Sequence, residues 1–109
     1  MIIHIKRFGE ILTSRTEGRE AALLLLAHEL SPKNRLPIEE GNPEILELSF
    51  KGIRVMTPSW LGELVNTLNE EKNIKFIFSH LENASVNESV EVVKLMPTIK
   101  GKNGWGRRT

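Results

Sequence analysis

The chain has 109 residues, of which 39% are hydrophobic and 27% are charged, with a net charge of +1 and no cysteine. This composition is typical of a single globular domain with a modest core, and it excludes a disulfide framework, thiolate chemistry and an intrinsically disordered chain. The longest apolar run, residues 21–27, is too short to cross a bilayer, and the first six residues do not have the pattern of a signal peptide. We therefore expect a cytoplasmic protein without a membrane segment.

The charge is distributed unevenly along the chain. Residues 97–109 carry four basic side chains and no acid, so residues 1–96 have a net charge of −3 when the whole chain is +1. This mildly acidic part lacks the single basic face of a folded nucleic-acid-binding domain. The segment 97–109 is poor in apolar residues, which predicts a flexible basic C-terminal tail after one domain over residues 1–96.

The first short elements are two predicted strands. Residues 2–5 are rich in isoleucine and predict one strand, and Ile11-Leu12 predicts another after a turn at Phe8-Gly9. The two strands are close enough in sequence to pair as a hairpin.

A predicted helix follows at Ser14. Ser14-Arg15-Thr16-Glu17 has the spelling of a capping box, in which the serine bonds the backbone N–H of the glutamate and the glutamate side chain reaches back. The helix is expected to run to about Leu30. Residues 21–27 are apolar most of the way round it, which predicts that it is covered on more than one side. Residues 31–43 contain three prolines and predict an exposed loop.

The central stretch predicts a buried strand, a turn and an amphipathic helix. Residues 45–50 form the strand, and Lys51-Gly52 turns out of it. Pro58 fits the first position of a helix, where its missing N–H would be unbonded in any case, and Thr57 is the expected N-cap. One face of this helix is apolar at helical spacing: Trp60, Leu61, Leu64, Val65 and Leu68.

The remaining elements are a strand and a third helix. Lys72-Asn73 is expected to end the central helix, and residues 74–78 predict a strand. Ser85-Val86-Asn87-Glu88 has the spelling of a second capping box and predicts a helix of about ten residues that ends before Pro97. Strands thus alternate with three helices, which predicts an α/β domain whose sheet is covered by helices through right-handed crossovers.

No set of residues predicts an enzyme. His4, His28 and His80 lie far apart in the sequence and have no ligand partners at metal-binding spacing. A G-x-G-x-x-G loop, a Walker loop and a G-x-S-x-G elbow are all missing from the sequence. We therefore expect a non-enzymatic protein without a cofactor or a metal.

Two hydroxyl groups stand out at the predicted start of the central helix. Thr57 and Ser59 are placed where free backbone N–H groups and the helix dipole favour an anion. A phosphate there would change the local charge by about −2. The simpler interpretation is that Thr57 is only a structural cap.

The motifs resemble those of a small STAS-like family, which shares its fold with the anti-sigma-factor antagonists. The core of the resemblance is LSFKGI over residues 48–53 and TPSWLGEL over residues 57–64, and the whole resemblance covers roughly residues 8–96. Shorter matches lie upstream and downstream: Ser14-Arg15, Gly18, Asn83, Val86 and Val90. The resemblance implies a mixed sheet of about four strands with helices packed against it.

The resemblance also implies a regulatory module that binds another protein. Antagonists of this class bind an anti-sigma kinase of the GHKL type, which is a histidine-kinase-like ATPase, and are switched by a phosphoserine at the start of the equivalent helix. That position falls on Pro58 in this sequence, which leaves Thr57 and Ser59 as candidate phosphorylation sites. The implied partner-binding residues are Thr57, Ser59, Trp60 and Glu63.

Two alternatives remain open from the sequence. The apolar helix over residues 21–27 and Trp60 favour a homo-oligomer whose function is assembly. The basic tail, with Trp105 available to stack on a base, favours association with single-stranded nucleic acid.

Overall fold

The computed structural model describes residues 1–30, 44–71 and 74–95. Its elements are β1 (Ile2–His4), a 3₁₀ helix (Ile5–Phe8), β2 (Ile11–Leu12), α1 (Arg15–Ala27), β3 (Glu44–Ser49), β4 (Val55–Met56), α2 (Pro58–Glu71), β5 (Ile74–Ser79) and α3 (Ala84–Leu95). The predicted α/β class and the three predicted helices are confirmed. Four predictions lie outside the described residues: the loop over residues 31–43, the helix end at Lys72-Asn73, the boundary at Pro97 and the tail over residues 97–109.

The described strands form two parallel sheets. β3 lies between β1 and β5 in a three-stranded sheet, and β2 pairs with β4 in a separate two-stranded sheet. The predicted mixed sheet of about four strands is not confirmed, since all strand pairs among the described residues are parallel. The predicted hairpin between the first two strands is wrong, because the 3₁₀ helix and Gly9, at a φ of 126°, lead the chain away from β1 before β2 begins. β1 and β2 each pair instead with a later strand that runs in the same direction.

The order of the strands places the helices on one side of the larger sheet. The chain moves from β1 to β3 to β5, always towards the same edge, through α1 and then α2. Right-handed crossovers in a constant direction put both helices on the same face. The core between helices and sheet contains Ile3, Leu46, Leu48, Ile74 and Phe76 from the strands. Side chains on the opposite face, among them Ile2, Ile45 and Ile77, are about half exposed.

Helix α1 starts as predicted and ends earlier than predicted. The backbone N–H of Glu17 donates to the Ser14 hydroxyl over 3.3 Å, which confirms the cap. The helix ends at Ala27 instead of Leu30, and a backbone hydrogen bond of 2.8 Å from Leu30 to Leu25 closes the turn after it. Leu23 and Leu24 are about half exposed, so the described chain covers this helix on one side only.

Helices α1 and α2 approach each other closely at Gly18. A Cβ atom built on Gly18 would overlap the carbonyl oxygen of Trp60 and would lie 3.1 Å from its carbonyl carbon. These atoms belong to the backbone, so they cannot move aside as a flexible side chain could. The crossing of the two helices therefore requires a residue without a side chain at position 18.

Helix α3 begins at a different cap from the predicted one. The backbone N–H of Val86 donates to the Asn83 side chain over 3.1 Å, so Asn83 is the N-cap and the predicted capping box at Ser85 is wrong. The Ser85 hydroxyl is engaged by β4: it accepts a hydrogen bond from the Met56 N–H and donates one to the Met56 carbonyl, each over 3.0 Å. Ser89 donates to the same carbonyl over 2.6 Å. Thus side chains of α3 form hydrogen bonds with the backbone N–H and carbonyl groups of β4 on the edge that does not pair with β2.

Candidate interaction site

The start of α2 is held by a threonine with two roles. The hydroxyl of Thr57 accepts a hydrogen bond of 3.4 Å from the backbone N–H of Trp60, which confirms Thr57 as the N-cap. The same hydroxyl donates to the carbonyl of Thr13 over 3.2 Å. Thr57 is half-buried and ties the first turn of α2 to the residue before the cap of α1.

All three helices begin around the small β2–β4 sheet. β2 leads into α1 and β4 leads into α2, and the N–H of Thr57 donates to the Leu12 carbonyl between them over 3.0 Å. The Asn83 side chain, at the start of α3, donates to the Arg54 carbonyl beside β4 over 3.1 Å. Helix α3 thus begins beside the residue that precedes β4, whereas the N-termini of α1 and α2 lie together at the end to which the parallel strands β2 and β4 run. Their free N–H groups and dipoles make this end favourable for negative charge.

The four sequence-predicted partner-binding residues fall in different environments. Ser59 is exposed in the first turn of α2, next to the half-buried Thr57. Glu63 lies one turn further along and forms an ion pair of 3.8 Å with Arg19 of α1, the two side chains being 23% and 61% exposed. These three residues are accessible from the same end of the helix.

Trp60 is not part of this accessible surface. Its side chain is 1% exposed and lies in the core, with its ring 6.2 Å from the ring of Phe8 between their centroids. A side chain so deeply buried cannot contact a partner on the surface, which corrects its inclusion among the partner-binding residues. The cause is helical spacing: Trp60 lies on the same apolar stripe as Leu64, which faces the sheet.

An exposed apolar pair lies beside the helix starts and was not predicted. Ile11 and Val55 are register partners in the β2–β4 sheet and are 60% and 40% exposed. Val55 is not recognisable as a strand residue from the sequence, because β4 has only two residues, too few for an alternating pattern. The available signal was the apolar pair Val55-Met56 directly before the predicted N-cap, which matches Ile11-Leu12 before Ser14.

The described residues contain neither a candidate metal site nor a membrane-spanning helix. Among the residues in the three described ranges, no three His or Glu side chains are grouped so that they could hold a metal ion. No helix in those ranges is both long and apolar enough to cross a membrane. Comparison of the chain with protein-family models, with curated proteins and with solved structures gave no match.

Proposed function

We propose that this chain is a cytoplasmic, non-enzymatic STAS-like module that regulates a partner protein by binding it through the start of α2. The observation that supports this most is the exposure of Ser59 in the first turn of a helix whose cap is fixed internally. The resemblance of residues 48–64 to the antagonist core directs the proposal to a histidine-kinase-like ATPase of the GHKL type as the partner.

The surface around Ser59 has the mixed character of a protein interface. The exposed apolar pair of Ile11 and Val55 lies in the strands that lead into α1 and α2, and the ion pair between Arg19 and Glu63 joins these two helices. Protein interfaces commonly combine a small apolar centre with a polar rim. A partner would cover the apolar pair and meet the polar groups at the edge.

Ser59 is a better phosphorylation site than Thr57. The Thr57 hydroxyl accepts a hydrogen bond from the Trp60 N–H and donates one to the Thr13 carbonyl; phosphorylation would remove the donated proton and displace the half-buried cap. Loss of such a cap costs about 1 kcal/mol of stability. Ser59 is exposed in the same first turn, where the helix dipole stabilises a phosphate. We therefore assign the switch to Ser59.

Glutamate in place of Ser59 should block the partner without harming the fold. We expect Ser59→Glu to weaken binding at least about tenfold, because a carboxylate in the interface meets groups arranged for a neutral hydroxyl. Its melting temperature should stay at or slightly above that of the wild type, since an acid is favourable in the first turn of a helix. Binding is measured by biolayer interferometry against each purified GHKL-type ATPase of the source organism.

Two control variants distinguish this loss of binding from a nonspecific effect of charge and from a loss of the fold. Glu88→Gln changes an exposed side chain on α3 and should bind like the wild type. Thr57→Glu should lower the melting temperature, because it removes the cap. The proposal fails if none of the ATPases binds the wild type, or if Ser59→Glu binds as tightly as the wild type.

A further inference from the structure

Among the described residues, no helix covers one face of the larger sheet. Because the strand order β1-β3-β5 puts the helices on one side, the alternate side chains of each strand are left on the other side, which we call the open face. Its exposed apolar members are Ile2, Ile45 and Ile77, at 53%, 52% and 44% exposure. Parallel sheets are normally buried on both faces, so this arrangement indicates a surface that is covered in the working protein.

The open face also carries two opposite charges in a defined pattern. Lys75 lies beside Ile45, and Glu47 lies beside Ile77, on the neighbouring strands β3 and β5. The four residues form a block in which the charges occupy one diagonal and the isoleucines the other. Neither charge forms an ion pair with another side chain in the described part of the molecule.

We propose that the open face binds the open face of a second copy of this chain. A two-fold axis in the plane of the interface, running close to the Ile45–Ile77 diagonal, places Lys75 of each copy opposite Glu47 of the other. The isoleucines then meet near the axis. An isologous contact requires a patch that is complementary to itself. An apolar surface that carries one positive and one negative group meets that requirement.

The charge pattern favours a second copy over an unrelated protein. A patch that recognises a differently charged partner needs only one sign of charge, whereas this patch carries both signs and is neutral overall. The sequence also favoured a homo-oligomer, but through Trp60, which is buried, and through α1, which lies on the helix side of the sheet. The open face is on the opposite side from α2, so this inference goes beyond the partner binding proposed above and does not depend on it.

The open face is small for a protein interface. Strands lie about 4.8 Å apart and rise about 3.3 Å per residue, so three strands of at most six residues cover about 15 by 20 Å. This area of about 300 Å² is smaller than the roughly 800 Å² that each partner usually buries in a stable complex. We therefore expect a dimer with a dissociation constant in the micromolar range.

Charge exchange tests the arrangement directly. In Lys75→Glu, two acids of one copy would face two acids of the other, and in Glu47→Lys, four bases would meet in the same way. Each variant alone should be a monomer at concentrations where the wild type is a dimer, with the dissociation constant of the dimer raised at least about tenfold. An equimolar mixture of the two variants should form a heterodimer, because each acid then faces a base. Sedimentation equilibrium between about 5 and 500 μM measures all four samples.

A matched control is Glu91→Lys, which reverses an exposed charge on α3 and should dimerise like the wild type. Circular dichroism is needed to establish that each variant is folded, because Lys75 is exposed but Glu47 is half-buried. The proposal is overturned if the wild type is a monomer throughout the range. It is equally overturned if either single variant dimerises like the wild type, or if the mixture stays monomeric.

Discussion

Replacement of Trp60 with alanine will lower the free energy of unfolding by about 3–5 kcal/mol. The indole is 1% exposed and lies against Phe8, so its removal leaves a cavity between α2 and the 3₁₀ helix that the backbone cannot fill. Domains of this size are stable by only about 5–15 kcal/mol, so the variant will lose a large share of its stability. Urea denaturation followed by far-ultraviolet circular dichroism measures the change.

The neighbouring Ser59 provides the matched control for this prediction. Ser59→Ala changes an exposed hydroxyl in the same turn of α2 and should alter the stability by no more than about 0.5 kcal/mol. The contrast between two adjacent residues distinguishes a core side chain from a surface one. A loss of under 1 kcal/mol for Trp60→Ala would place the indole on the surface and contradict the packing described above.

Alanine in place of Gly18 will destabilise the protein by about 1–3 kcal/mol, although alanine is the better helix former. At an unrestricted position in a helix, the same change stabilises by up to about 1 kcal/mol. Here the new methyl group overlaps the carbonyl oxygen of Trp60 and lies 3.2 Å from its Cα, so α1 and α2 must move apart. The sign of the effect is therefore the informative quantity.

A second alanine in the same turn supplies the comparison for Gly18. Thr16 is exposed in α1, so Thr16→Ala should leave the melting temperature unchanged or raise it slightly. Thermal denaturation of the two variants should give shifts of opposite sign or of clearly different size. If Gly18→Ala is as stable as the wild type or more stable, the close crossing of α1 and α2 is incorrect.

Local sequence signals predicted the helices and two of their caps correctly. Ser14 and Thr57 were identified because a cap depends on a hydroxyl and on backbone groups within three residues of it. At α3, Asn83 and Ser85 were both suitable caps by their chemistry. Asn83 is the cap because the Ser85 hydroxyl is hydrogen-bonded to the backbone of Met56 in β4. A contact between residues 29 positions apart is not visible in a local pattern.

Strand pairing could not be predicted in the same way. Ile11-Leu12 lies close to β1 in sequence, which favoured a hairpin, yet its partner is Val55-Met56. Parallel pairing depends on the path of a long crossover, and a strand of two residues has no periodicity of its own. Trp60 shows a different limit. Its helical spacing alone indicated the core, whereas the family resemblance indicated a contact with a partner, and the spacing was the better guide.

The proposed function requires that the first turn of α2 contacts a histidine-kinase-like ATPase. Photo-crosslinking tests it most directly, with p-benzoylphenylalanine in place of Ser59, or of the exposed Glu91 on α3 as the control, in the presence of each GHKL-type ATPase of the source organism. We predict a covalent adduct with one ATPase from position 59 and none from position 91. No adduct from position 59, or adducts of equal yield from both positions, would contradict the claim.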